Sequence, residues 1–207
     1  PEAAEQQYRL AIEIANKRRP KDLQQIANAF GGLGGIYAQK GQYEKALEAV
    51  EKGIATGNYP VQTGIGYGLA LIHLGRLEEA THALLAIHKI YPNDELVLDA
   101  LGVLALGKKQ FDQAVIFFKK AIRIVPSFGS AHNNLGRTYL TMGHSNKALI
   151  YLKNAISISP DDPVILTNLG TVLIDLGRIS EGIKYLERAI QIAPNYQPAS
   201  NLLKSFR

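Results

Sequence analysis

The chain has 207 residues, a formal net charge of +5, 46% hydrophobic and 20% charged residues, and no cysteine. The missing thiol excludes disulfides, thiolate metal sites and cysteine nucleophiles. No apolar run approaches the roughly 18 residues that span a bilayer, so a soluble protein without a membrane span is expected. Its first residue is Pro1, and no basic stretch followed by an apolar run opens it, so any targeting peptide is expected to be removed or absent. The compartment stays open, with the cytoplasm favoured.

Residues 2 to 15 place Ala4, Tyr8, Ala11, Ile12 and Ala15 at the three-and-four spacing of an amphipathic helix. It reads as the second helix of a hairpin whose first helix is missing. A basic turn, Lys17-Arg18-Arg19-Pro20-Lys21, follows, and Pro20 ends the connection. Asp22 is then expected to cap a helix running to about Gln39.

From Ala27 the chain divides without insertion into five blocks of 34 residues, 27–60, 61–94, 95–128, 129–162 and 163–196. The eighth residue of each is Gly34, Gly68, Gly102, Gly136 or Gly170, and the twentieth is Ala46, Ala80, Ala114, Ala148 or Gly182. A glycine inside a helix costs about 1 kcal/mol relative to alanine. Five in phase therefore imply that the two helices of each block approach backbone to backbone. Leu33, Tyr67, Leu101, Leu135 and Leu169, with Val50, Leu84, Phe118, Leu152 and Leu186, are the expected core. Gly41, Gly75, Gly143 and Gly177 are placed to end first helices in left-handed caps. The third block has Lys109 there and Gly107 two residues earlier, so its first helix is expected to end sooner. Pro92, Pro126, Pro160 and Pro194 stop second helices, whereas the first block has Thr56-Gly57-Asn58-Tyr59-Pro60. Residues 197–207 continue in phase as a sixth first helix, with Ala199, Leu202, Leu203 and Phe206 on one face and Lys204 at the glycine position. They are read as a cap or a truncated repeat.

At these residues the chain resembles the tetratricopeptide repeat family. The resemblance implies an all-α fold, a right-handed α-solenoid (superhelix) of tandem helix-turn-helix repeats over residues 27–196, preceded by an orphan helix and connection in 1–26. The aromatic favoured at position 4 of the repeat is Phe30, Gly64, Leu98, His132 or Leu166 here, and Gly53 and Ile87 stand where alanine is usual, so irregular packing is expected there. The connection around Lys17 to Lys21 looks like the extended variant seen in kinesin light chains and regulators of cell polarity. In the family, positions 2, 5, 6, 9, 12 and 13 of each first helix line a concave wall. The first three blocks present mostly small and apolar residues there, among them Gly31, Gly32, Gly35, Gly66, Leu69 and Val103, together with His73 and Asp99. The fourth and fifth present Asn133, Asn134, Arg137 and Thr141, then Asn168, Thr171 and Asp175. The bare half suits a bulky helix or apolar peptide. Asn134 and Asn168, one block apart, resemble two rungs of the asparagine ladder in O-linked N-acetylglucosamine transferase and suit an extended backbone. The cations by which related repeats clamp a chaperone's C-terminal carboxylate are missing, since Gly31, Gly35, Gly66, Leu96 and Ala100 occupy those positions from Ala27.

Catalytic chemistry finds no support. His82 and Glu78 lie one helical turn apart with no third ligand converging, which makes an ordinary surface pair. The glycine clusters at 31–35 and 64–68 fall inside helices and lack the strand before and the Lys with Ser or Thr behind that a phosphate loop needs. Apart from the basic turn, Lys108-Lys109 and Lys119-Lys120, the cations are dispersed, so no nucleic-acid partner is expected. The expectation is a non-catalytic scaffold without cofactor or metal that binds another protein or peptide segment in its groove. Two alternatives stay open. One is the recognition arm of a larger enzyme or signalling protein, and the other a self-assembling module that dimerises through Tyr8, Ala11 and Ile12.

Overall fold

A computed structural model describes residues 2–17, 23–55 and 61–206, and every regular element among them is an α-helix. The basic turn at 18–21, the expected cap Asp22 and the connection 56–60 lie outside the described residues. Two compact units divide between Gln110 and Phe111. The first holds α1 (Glu2–Lys17), α2 (Leu23–Gln39), α3 (Tyr43–Ile54), α4 (Val61–His73), α5 (Leu77–Ile90) and α6 (Glu95–Gly107). The second holds α7 (Phe111–Ile124), α8 (Gly129–Thr141), α9 (Ser145–Ile158), α10 (Pro163–Asp175), α11 (Ile179–Ile192) and α12 (Gln197–Lys204). Within each unit the helices pack in sequence as hairpins, α2 on α3 and α4 on α5, then α8 on α9 and α10 on α11. This is the all-α repeat fold expected from the 34-residue period.

Gly34, Gly68, Gly136 and Gly170 sit where the two helices of their hairpins touch. A Cβ on Gly136 would lie 2.6 Å from Leu152 Cγ and 3.2 Å from the Ala148 carbonyl, and one on Gly34 would lie 2.4 Å from Val50 Cγ2. In the last hairpin the contact is reciprocal, Gly170 facing the Gly182 carbonyl and Gly182 facing that of Gly170. Around these contacts lie the expected core side chains, with Leu84, Leu135, Leu152 and Leu186 fully buried. Backbone contact at a bare Cα lets large residues from both helices close over it, which offsets the helix-weakening cost of glycine.

Helix ends follow local chemistry. Asp94 and Asp162 accept backbone N–H groups two and three residues ahead, from Leu96 and Val97 and from Val164 and Ile165, capping α6 and α10. First helices end in left-handed residues, Gly41, Gly75, Gly143 and Gly177, with φ of 70–76°. The next N–H returns to a carbonyl five residues back, as from Arg76 to Leu71 at 2.9 Å and from His144 to Tyr139 at 2.8 Å. Contrary to expectation, the third first helix does not stop early. α6 has the same 13 residues as α4, α8 and α10, because Lys109 adopts φ 59° and Gln110 makes the same closing bond, to Ala105, at 2.8 Å. Second helices end two residues before Pro92, Pro126, Pro160 and Pro194. α12 buries Ala199 and Leu203 against α11 and α10, while Phe206, expected on the same face, follows the helix end and is 40% exposed.

The first helix is not left unpartnered. Tyr8 reaches over Gly32, and Ile12 packs with Phe30 against the cluster of Leu33, Tyr37, Ala46, Ala49 and Ala70. Tyr8 and Ile12 of the face expected to meet a second copy thus also touch α2, while Tyr8 stays 36% exposed.

Candidate docking surface

The surface expected to bind a partner is carried by one wall in each unit. In the second unit α8 presents Asn133, Asn134, Arg137 and Thr141, and α10 presents Asn168, Thr171 and Asp175. Asn168 donates its side-chain amide to the Asn133 side-chain carbonyl at 2.8 Å, and both residues are half-buried. Asn134, expected together with Asn168 to meet an extended backbone, donates to the Ser130 hydroxyl at 3.4 Å on its own helix. An asparagine side chain has two donors and one carbonyl with two lone pairs. The shared bond uses one Asn168 donor and one Asn133 lone pair, so the Asn133 amide and the Asn168 carbonyl keep their own bonding capacity.

Most neighbouring polar groups are engaged. Thr141 and Thr171 turn their hydroxyls back to the Arg137 and Thr167 carbonyls at 3.0 and 2.8 Å, and Asp175 accepts from Ser145 at the start of α9. Arg137 is exposed, and its charge opposes the upward push that burial gives the Tyr196 phenol.

In the first unit Leu69 and Val103 are half-buried on α4 and α6, beside Asp99. His73 is stacked on Tyr43 of α3, ring centroids 4.4 Å apart and planes 8° from parallel, and burial lowers its pKa. The wall is less bare than the glycine run implies. Gly31 is covered by Thr63, whose hydroxyl oxygen would be 2.1 Å from a Cβ there, and Gly32 by Tyr8. Gly35 and Gly66, however, have nothing within 4 Å of a Cβ. Those two positions stay open, whereas Gly31 and Gly32 admit the chain's own side chains. Sequence periodicity missed Tyr43 because it lies on a second helix, outside the positions assigned to the wall. No sequence signal links Tyr43 to His73, which meet only in the fold.

Glu78, considered with His82 as a ligand pair, accepts a salt bridge from Lys108 at 3.0 Å. Among the described residues no three His, Asp or Glu side chains converge as metal ligands, and no helix is long and apolar enough to cross a membrane.

Known proteins share this fold. Over 122 residues, 58% of this chain, the sequence is 27% identical to anaphase-promoting complex subunit CDC16 of Saccharomyces cerevisiae, and the aligned stretch spans 14% of that protein's length. A thermophilic tetratricopeptide repeat protein from Thermus thermophilus superposes with a TM-score of 0.78 at 21% identity, covering 86% of this chain and 97% of that one. A chain of the APC/C hetero-tetramer Cut9–Hcn1 superposes with a TM-score of 0.77 at 24% identity, covering 96% of this chain and 39% of that one. Family models described as tetratricopeptide repeat match residues 27–55, 97–128 and 129–162, and, in a second model, 146–205. With its hairpins matched so widely and closed by the same in-phase small residues, the chain belongs to the tetratricopeptide repeat family.

Proposed function

We propose that the chain is a non-catalytic protein-interaction scaffold and that the α8–α10 wall of its second unit holds an extended segment of a partner protein. The observation that carries this reading is the bond from Asn168 to Asn133, in which the Asn133 amide and the Asn168 carbonyl keep their own bonding capacity on one wall. An extended backbone presents a carbonyl and an N–H in turn along each edge, so it complements such a pair without regard to its own side chains. Exposed Arg137 on the same helix adds a charged contact, which favours segments carrying a carboxylate. Similarity to CDC16, a subunit of the anaphase-promoting complex, supports protein contact as the class of activity. Partner identity and any larger assembly are not carried over, because the match spans 14% of that protein.

The test begins with selection of displayed peptides on the 207-residue chain. Fluorescence polarisation then compares the selected peptides on the chain and on its Asn133→Ala/Asn168→Ala variant. An about tenfold or greater loss is expected, the equivalent of roughly 1.4 kcal/mol for polar groups left unpaired. Equal affinity for the two proteins, or no peptide selected, removes the wall from the function.

A further inference from the structure

A second site lies away from that wall, in the first unit. α1 and α3 both pack on α2 and leave between them a cleft of about 520 Å³. Its floor is apolar, formed by Phe30 and Leu33 of α2 and Ala49 of α3. Its rim is charged and unbalanced. Arg9, Lys40, Lys45 and Lys52 face it with only Glu5 and Glu48 to oppose them among the described residues.

Both carboxylates are already occupied. Glu5 accepts from Lys40 at 2.8 Å, from the Tyr37 hydroxyl at 3.2 Å and from Arg9 at 3.2 Å, and these donors, Lys40 foremost, hold its pKa below the usual carboxylate range. Arg9 also donates to the Tyr37 hydroxyl at 2.6 Å, so buried Tyr37 anchors the network from the floor. Glu48 accepts from Lys52 at 2.6 Å. Lys45 has no acidic partner among the described residues. The cleft thus keeps a surplus of positive charge over an apolar floor, with its acidic groups turned to holding the rim cations in place.

We propose that this cleft docks an acidic segment of a partner protein, a short stretch in which Asp or Glu side chains meet Lys45 and the neighbouring cations while an adjacent apolar side chain enters over Phe30 and Leu33. Charge complementarity selects that occupant. The apolar floor gives a simple anion no use for part of the cleft, and a uniformly negative nucleic-acid backbone carries no apolar side chain to place over Phe30 and Leu33. A protein segment can alternate acidic and apolar side chains to match both. The site owes its existence to α1, since without that helix the cleft loses one wall together with Glu5 and Arg9. It is independent of the asparagine pair on α8 and α10.

The probe is a fluorescein-labelled peptide rich in Asp and Glu carrying one Leu and one Phe, measured by polarisation on the 207-residue chain at about 0.15 M salt, where long-range attraction is largely screened. Saturable binding is expected, weakened about tenfold by Lys45→Glu and again by Lys52→Glu. Lys153→Glu, the same charge change on exposed α9, should alter it less than about twofold, and Asn133→Ala/Asn168→Ala should leave it intact. Far-ultraviolet circular dichroism melts check that each variant keeps its fold. The proposal is overturned by an equal loss with Lys153→Glu, by equal binding of a peptide with Lys in place of its acidic residues, by full displacement with single-stranded DNA, or by no saturable binding at this salt.

Discussion

The phenol ring of Tyr8 lies over Gly32, so close that a Cβ at position 32 would come 2.3 Å from Tyr8 Cζ. A residue of the first helix therefore occupies the space that a side chain on α2 would need, and α1 becomes the wall of a cleft instead of a loose end. Because the colliding atoms are the far end of a ring, a larger residue at 32 is expected to displace the ring and not to unfold α2. Gly32→Leu should raise hydrogen exchange and proteolytic cleavage across residues 2–17 while residues 111–206 keep their protection. Unchanged exchange in α1 would mean that this contact does not hold the helix.

Two glycine classes that look alike in sequence should respond oppositely to alanine. At Gly35 nothing lies within 4 Å of a Cβ, so Gly35→Ala is expected to gain up to about 1 kcal/mol of helix propensity. At Gly136 the Cβ would meet fully buried Leu152 and the Ala148 carbonyl, so Gly136→Ala should cost about 1–3 kcal/mol through overpacking. Urea denaturation of the two variants measures both signs.

Lys109 is the non-glycine residue with positive φ among the described residues. Left-handed backbone costs a residue with a Cβ roughly 1–2 kcal/mol, and the closing bond from Gln110 to Ala105 shows that the cap is made regardless. Lys109→Gly is therefore expected to raise stability by about 1 kcal/mol, less whatever the more flexible unfolded chain returns. A thermal melt with no gain, or a loss, would show that the lysine side chain compensates the strain.

His73 carries a pH dependence. Burial beside Tyr43 lowers its pKa below the ordinary histidine value, so the unfolded chain binds the proton more tightly than the folded one. Its neutral form leaves the fold unpenalised above about pH 6.5, and stability falls as pH drops from there towards the lower folded value, then levels off. In His73→Gln the loss of the ring contact is the same at every pH, so the difference in melting temperature between wild type and variant should narrow as pH falls from about 7.5 to 5. A constant difference would show that the ring titrates equally in both states.

The repeat itself could be read directly from the chain. Gly34, Gly68, Gly102, Gly136 and Gly170, with the small residues twelve positions later, are distance constraints between two helices of one hairpin. A constraint between neighbours in sequence recurs at the period of the unit, which made the all-α repeat and the core leucines legible. Which group fills the space between helices from different hairpins is not periodic. Thr63 covers Gly31 and Tyr8 covers Gly32, whereas Gly35 stays open, although all three are glycines on one helix.

Side-chain direction was equally hidden. Asn134 holds the register position of Asn168, but the amide of Asn168 turns to Asn133, because hydrogen bonds form between groups that meet in space and not between equal positions in a repeat. Dispersed charges had the same fate, since Glu5 and Arg9 are far in the chain from Lys40 and Lys45 and join them in one rim only when α1 and α3 settle on α2. The sequence by itself determined the repeated hairpin, through spacing that local backbone contact imposes. Only the tertiary structure decided which surfaces remain open, because that depends on where residues far apart in the chain come to rest.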